Sequence, residues 1–276
     1  MKPFLSVWLA TIGLATSLYG AAYTTNFNSY ALYSDPAGQD GWTINDSTDQ
    51  YAAINRANAD PLNPGITSRA LQLGDASLVT YQPVGPSVVL SHAYTGTVGA
   101  TNLTFDFIIN DSATGSFQNR DIFGTSISNG SGGNLLSISF VPVSQSTDPD
   151  NDPYARWNLY YTLGTGATVP LNLSVYKNTQ YYFNLGFNPN ASNPALSDFL
   201  LSITSQTNTL HDGATGLSLA PSAATGNLNI SWSKDSGAAF GSNSLVVDNL
   251  SVVPEPSSTL LICLAGLGFV SRRKRA

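Results

Sequence analysis

From Ser68 onward the chain repeats one pattern: a short run in which apolar and polar residues alternate, closed by a turn. Leu103, Phe105, Phe107 and Ile109 fall on one side of such a run, with Thr104 and Asp106 between them. Leu136, Ile138 and Phe140 alternate in the same way, as do Leu201 with Ile203 and Leu228 with Ile230 and Trp232. A period of two residues is that of a β-strand with one buried face. The pattern predicts strands over Ser68–Leu73, Ser77–Tyr81, Val88–Tyr94, Asn102–Ile109, Asp121–Ile127, Leu135–Val143, Arg156–Leu163, Leu171–Tyr176, Gln180–Phe187, Phe199–Thr204, Leu228–Trp232 and Leu245–Val252. Segments such as 129–134 (NGSGGN) and 164–166 (GTG) carry turn chemistry between them. No window shows the i, i+3, i+4, i+7 recurrence of a long helix. The connections are also too short for parallel βαβ units. The expectation is an all-β, two-sheet antiparallel β-sandwich over residues 23–252 as one domain, with Pro142–Pro153 as a loop inside it.

Ahead of this series the pattern weakens. Ala22–Phe27 reads as a first strand. The rest of 23–66 reads as loop, with turns at Pro36, Gly38, Gly41, Pro61 and Pro64. Asp49–Ala59 is the one stretch there with the character of a short helix or an irregular arm.

Both ends depart from the body. Residues 1–22 pair Lys2 with an apolar stretch over Phe4–Leu18 and end in Gly20-Ala21-Ala22. That is the layout of a secretory signal peptide, with a signal helix cleaved after Ala22. Residues 253–276 run Val253-Pro254-Glu255-Pro256, then an apolar segment Thr259–Val270, then Arg272-Arg273-Lys274-Arg275. About a dozen apolar residues fall short of the ~20 an independent membrane span needs. The basic cluster favours the cytoplasmic side. The tail therefore reads as a short hydrophobic helix that anchors an exported body transiently.

Composition sharpens the contrast. Of 17 acidic residues, only Glu255 is Glu, and it lies in the tail, as does the single Cys263. A body rich in Asp, Asn, Ser, Thr and Gly and poor in Glu and Lys has few of the usual surface-helix formers. Between the ends stand six basic residues against 16 of the 17 acids, 6 − 16 = −10. Such a body has no electrostatic footprint for nucleic acid. With one Cys, no internal disulfide forms.

The tail, with Pro254-Glu255-Pro256 and Arg272-Arg273-Lys274-Arg275, resembles the PEP-CTERM sorting signal of Gram-negative bacteria. The resemblance implies recognition and cleavage by an exosortase-type membrane protease, and delivery to the cell envelope, outer surface or extracellular matrix. The body also resembles a family. Asn26–Tyr30, Gly41-Trp42, Asp121–Gly124, Leu135–Phe140 and the closing Leu245–Val252 look like concanavalin-like or laminin-G-like jelly rolls. Those folds lay the first and last strands side by side.

Candidate chemistry is sparse. His92 and His211 lie near no nucleophile motif and form no zinc-ligand spacing. The concanavalin-like glycosidases resembled here carry a Glu-x-Asp-x-x-Glu strand. This body has no Glu, and Asp106 and Asp111 lie at no diagnostic spacing for an Asp pair to serve instead, so it is not expected to be an enzyme. No cofactor is expected beyond a structural Ca²⁺. Asp148, Asp150 and Asp152 resemble the start of a calcium loop, although Pro153 and Leu159 stand where the Gly and the bidentate Glu would be. The jelly-roll resemblance adds Asp248, on the last strand, as a second calcium candidate. Trp42, Trp157, Tyr161 and Tyr182 are the candidate glycan contacts. The doublets Tyr160-Tyr161 and Tyr181-Tyr182 each direct one ring to either face of a strand. Two readings follow: a non-catalytic surface or matrix protein, or a lectin-like module that binds extracellular polysaccharide.

Overall fold

The computed structural model describes residues 22–30, 36–45, 54–56, 69–74, 87–97, 101–111, 121–143, 156–189, 198–205, 209–212, 217–218, 224–233 and 243–254. They form sixteen strands in chain order. These are β1 (Tyr23–Thr25), β2 (Trp42–Ile44), β3 (Ile54–Arg56), β4 (Ala70–Gly74), β5 (Ser87–Thr97), β6 (Thr101–Asp111), β7 (Ile122–Asn129), β8 (Asn134–Pro142), β9 (Arg156–Leu163), β10 (Thr168–Tyr176), β11 (Gln180–Asn188), β12 (Asp198–Ser205), β13 (Thr209–Asp212), β14 (Leu217–Ser218), β15 (Ala224–Ser233) and β16 (Asn243–Pro254). One sheet has nine strands in the order β13-β12-β11-β6-β16-β4-β3, with β1 also on β16 and β14 also on β12. The other has seven, in the order β10-β9-β8-β7-β15-β5-β2. Neighbours pair antiparallel throughout.

The alternating residues meet between the sheets. Phe105 of β6 stacks on Phe183 of β11 with ring centroids 4.3 Å apart, and Phe107 reaches across to Phe140 of β8 at 5.2 Å. Leu103, Phe105, Phe107 and Ile109 are all buried, as the alternation requires. Gly124 of β7 sits where an added Cβ would meet Ser231 Oγ at 2.9 Å and Ile138 O at 3.1 Å, so only a bare backbone fits there.

The last strand holds the nine-stranded sheet together. β16 pairs with β6 along one side. On its other side β4 takes Ser244–Val247 and β1 takes Leu250–Val252. Between these halves the register slips, and Asn249 adopts φ +51°, a left-handed conformation that Asn tolerates better than most residues. Asp248 Oδ1 accepts the Asn249 N–H at 2.8 Å and supports the turn of the chain. This bulge switches the inward positions from odd (Leu245, Val247) to even (Leu250, Val252), so both halves reach the core.

Four strands differ from the sequence reading. Part of Asp49–Ala59 is the strand β3, not a helix, because Ile54–Arg56 pairs with the edge of β4. Trp42 opens a strand, not a loop, because the turn through Gly38 and Gly41 (φ +79° and +82°) returns the chain alongside β5. β13 and β14 lie end to end along β12, where loop was expected. The strand expected at Ser77–Tyr81, the signal segment and the tail beyond Pro254 fall outside the described residues. No helix among the described residues is long and apolar enough to cross a membrane.

One polar node ties the sheets together inside the core. Asp121, 1 % exposed, accepts Trp232 Nε1–H on its carboxylate at 2.9 Å and Trp157 Nε1–H on its carbonyl at 3.0 Å. Its own N–H donates to Asn243 Oδ1 of β16 at 3.0 Å. Of these three bonds, the one to Trp232 uses the side chain. Asp121→Ala is therefore expected to leave one buried indole N–H unpaired and lower stability by about 1–3 kcal/mol. Urea melts of the two proteins check this; an unchanged midpoint would show that the node does not hold the core.

Candidate functional site

The aromatic candidates divide by strand phase. Trp42 and Trp157 are 1 % and 0 % exposed, so neither offers a ring face to a glycan. Both lie on inward positions, and their indole N–H groups are engaged by Tyr23 Oη and Asp121 O. Tyr161 also points inward, half-buried and edge-on to Phe199 at 5.4 Å. Tyr182 alone of the four is exposed, on the outer face of the nine-stranded sheet opposite Asp106 and Thr204. Each Tyr doublet does send one ring inward and one outward, with Tyr160 and Tyr182 the outward pair.

Of the calcium candidates, Asp148, Asp150 and Asp152 lie outside the described residues. Asp248 is buried opposite Asp106, and Asp106 Oδ2 accepts Asn249 Nδ2–H at 2.8 Å. Among the described residues no three His, Cys, Asp or Glu side chains are grouped to hold a metal ion. Of the sorting residues, Pro254 ends β16, while Glu255, Pro256, Arg272, Arg273, Lys274 and Arg275 lie outside the described residues.

The arrangement that sequence reading missed is on the outer face of the seven-stranded sheet. The pairing register aligns Thr43, Ser91, Asn229, Ser126, Ser137, Thr162 and Thr168, one from each strand, in a single row across the sheet. Every member is a small hydroxyl or amide residue. The two end residues are exposed and the five between are half-buried. Six strand spacings of about 4.8 Å make the row roughly 29 Å long. Its members are linked: Ser91 Oγ donates to Asn229 Oδ1 at 2.7 Å, Asn229 Nδ2 donates to Ser126 Oγ at 3.1 Å, and the Thr162 and Thr168 hydroxyls lie 2.9 Å apart. The neighbouring row runs Val89, Ser231, Gly124, Ser139, Tyr160 and Pro170. Gly124 leaves it low at the centre, and Tyr160 sets one ring beside the polar row.

This sheet is also electrically quiet. Its seven strands contain no Asp, Glu or Lys, and Arg156 is their one permanently charged residue. The nine-stranded sheet carries Asp106, Asp111, Asp198, Asp212 and Asp248.

A concavity of about 450 Å³ opens over the seam of β1 and β16 and is lined by Thr24, Asn26, Ser29, Asp40, Asn249 and Ser251. Beneath it is an aromatic knot. Tyr23 Oη accepts Trp42 Nε1–H at 2.9 Å and donates to Asp40 Oδ2 at 3.1 Å, and Tyr30 Oη donates to the same oxygen at 3.4 Å. The Tyr23 ring stacks on His92 with centroids 3.7 Å apart. His92 lies within β5, and its Nε2 is 2.8 Å from the Asp40 carbonyl, which can only accept, so Nε2 carries the proton. Nδ1 of the same ring is buried without a hydrogen-bond partner. His211 falls in β13, opposite Ile203. Burial, the largest influence on each, pushes the phenols of Tyr23, Tyr30, Tyr94 and Tyr181 above the ordinary tyrosine value.

Two antiparallel sheets with the first and last described strands paired form a β-sandwich. Among solved structures, the chain is similar to the basic winged bean lectin solved with Tn-antigen, at 11 % identity over 84 % of this chain and 97 % of that one, with a TM-score of 0.50. A legume lectin-like domain from Entamoeba histolytica (11 % identity, 78 % and 91 % coverage) and alginate lyase Aly36B in complex with alginate trisaccharide (15 %, 86 % and 99 %) both score 0.47, too low to bear on the fold. Residues 252–275 match the PEP-CTERM protein-sorting motif, so the chain carries an export-and-sorting tail on a lectin-type sandwich. No curated protein matches it in sequence.

The raised phenols set a pH dependence. In the unfolded chain these tyrosines ionise near 10.0, while the fold keeps them neutral to higher pH. Their contribution is therefore fully present below about pH 10 and is lost as pH rises beyond it. Denaturant melts between pH 8 and 11 should show a flat region and then a fall. Absorbance titration should show part of the 13 tyrosines ionising only as the protein unfolds. Free titration of all of them in the folded protein would contradict this.

Proposed function

We propose that the protein is an exported, non-catalytic polysaccharide-binding protein of a Gram-negative cell surface or extracellular matrix. In this reading an exosortase-type protease sorts and cleaves it at its C-terminal motif, after transient anchoring by the apolar tail. The observation that carries the binding reading is the seven-residue polar row across the seven-stranded sheet. A row of hydroxyls and amides presents donors and acceptors at each strand spacing to an extended chain laid across the strands. The absence of Asp, Glu and Lys from these strands points to an uncharged polymer. The lack of a Glu-x-Asp-x-x-Glu strand supports the non-catalytic part.

A purely structural or adhesive role is the second reading. The burial of Trp42, Trp157 and Trp232 favours it, because these indoles provide no exposed stacking platform. A glycan array that includes neutral and anionic polysaccharides separates the two. Binding to neutral polymers is expected. Asn229→Ala, which removes the amide bridging Ser91 and Ser126, should weaken it by ~1–2 kcal/mol, about 5- to 30-fold in Kd. An array without a hit beside a working positive control would leave the structural reading standing.

A further inference from the structure

The sorting motif and the fold share residues. The motif occupies 252–275, while β16 extends to Pro254, so Val252, Val253 and Pro254 belong to both. These three are not a frayed end. Val252 is 0 % exposed and stands opposite Leu103 of β6, also 0 %, and opposite Tyr23 of β1. Val253 pairs with Asn102 and Pro254 with Thr101, which is 1 % exposed. On the other side, β1 is itself pinned through Tyr23 by Trp42, Asp40 and His92. Val252 is thus held between two strands, and Val253, 40 % exposed, and Pro254 pair with β6 alone, with no linker between sandwich and motif.

A membrane protease that reads the segment around Pro254 needs it as free, extended chain, because a strand whose backbone is paired has few groups left to offer an enzyme cleft. We propose that completion of the nine-stranded sheet and recognition of the sorting motif compete for Val252–Pro254. Docking of β16 between β6 and β1 withholds the motif's first residues, and the sorting protease acts on the fraction in which this strand end is open. The cleaved bond lies beyond Pro254. In that step a nucleophile, water in the simplest case, adds to the peptide carbonyl and the tail leaves as the free amine. The sandwich keeps its last strand entire. The inference rests on the strand register, on the motif match and on the protease processing proposed above, and is independent of any carbohydrate ligand.

The experiment is a pulse-chase of the full-length chain in a host that carries the sorting protease. A flexible Gly/Ser linker of eight residues inserted between Val252 and Val253 separates motif from sheet and should speed tail removal several-fold. The same linker placed after Pro256 leaves the shared residues in the sheet and should not speed it. Hydrogen exchange on the purified uncleaved protein is the second readout. The Val252 and Val253 amides should exchange as slowly as their β6 partners in the unaltered chain, and Val253 should exchange fast once the linker precedes it. Equal processing rates for the unaltered and upstream-linker chains, or fast exchange at Val252 and Val253 in the unaltered chain, would overturn the proposal. So would a mature C-terminus at or before Val253 by mass spectrometry.

Discussion

The backbone ladder along β16 is the interaction on which the rest of the molecule depends. It is the longest strand, and it is paired on both sides. It is also the last strand, so β1, β4 and β6 stay edges until the end of the body arrives. Pairings this distant in sequence carry a high loop-closure cost. The bulge at Asp248-Asn249 makes the ladder compatible with the core by resetting which side chains face inward.

The two sheets divide the work. The nine-stranded sheet contains the paired ends, the acidic residues and the strand that leads into the sorting motif. The seven-stranded sheet contributes large inward side chains and small polar outward ones. The Asp121 node couples them, since it links two tryptophans of one sheet to Asn243 of the other. Because the bulk of the seven-stranded sheet lies inside, its outer face stays low and even, and the polar row spans it without interruption.

The long strands were legible because their alternation is local: Leu103 to Ile109 states its phase in seven residues. Short edge strands were not. Trp42–Ile44, Ile54–Arg56, Thr209–Asp212 and Leu217–Ser218 carry two to four residues each, too few for a period, and their state is decided by the neighbour they pair with. The sorting motif was readable because its signal is linear. Three of the four aromatic candidates face inward for a physical reason: a tryptophan beside turn glycines looks exposed until the turn is known to fold it inward, as happens at Trp42. The polar row was beyond sequence reasoning. Thr43, Ser91, Ser126 and Asn229 are ordinary residues scattered over nearly two hundred positions, and only inter-strand register makes them neighbours.

A row built of hydroxyls and amides, with one ring beside it, has a property that a row of charges lacks. Dissolved ions screen interactions between charges and act little on neutral hydrogen bonds and stacking. Whatever contact that polar row makes would hold alike in dilute water and in brine, while the acidic remainder of the body feels every change in the medium.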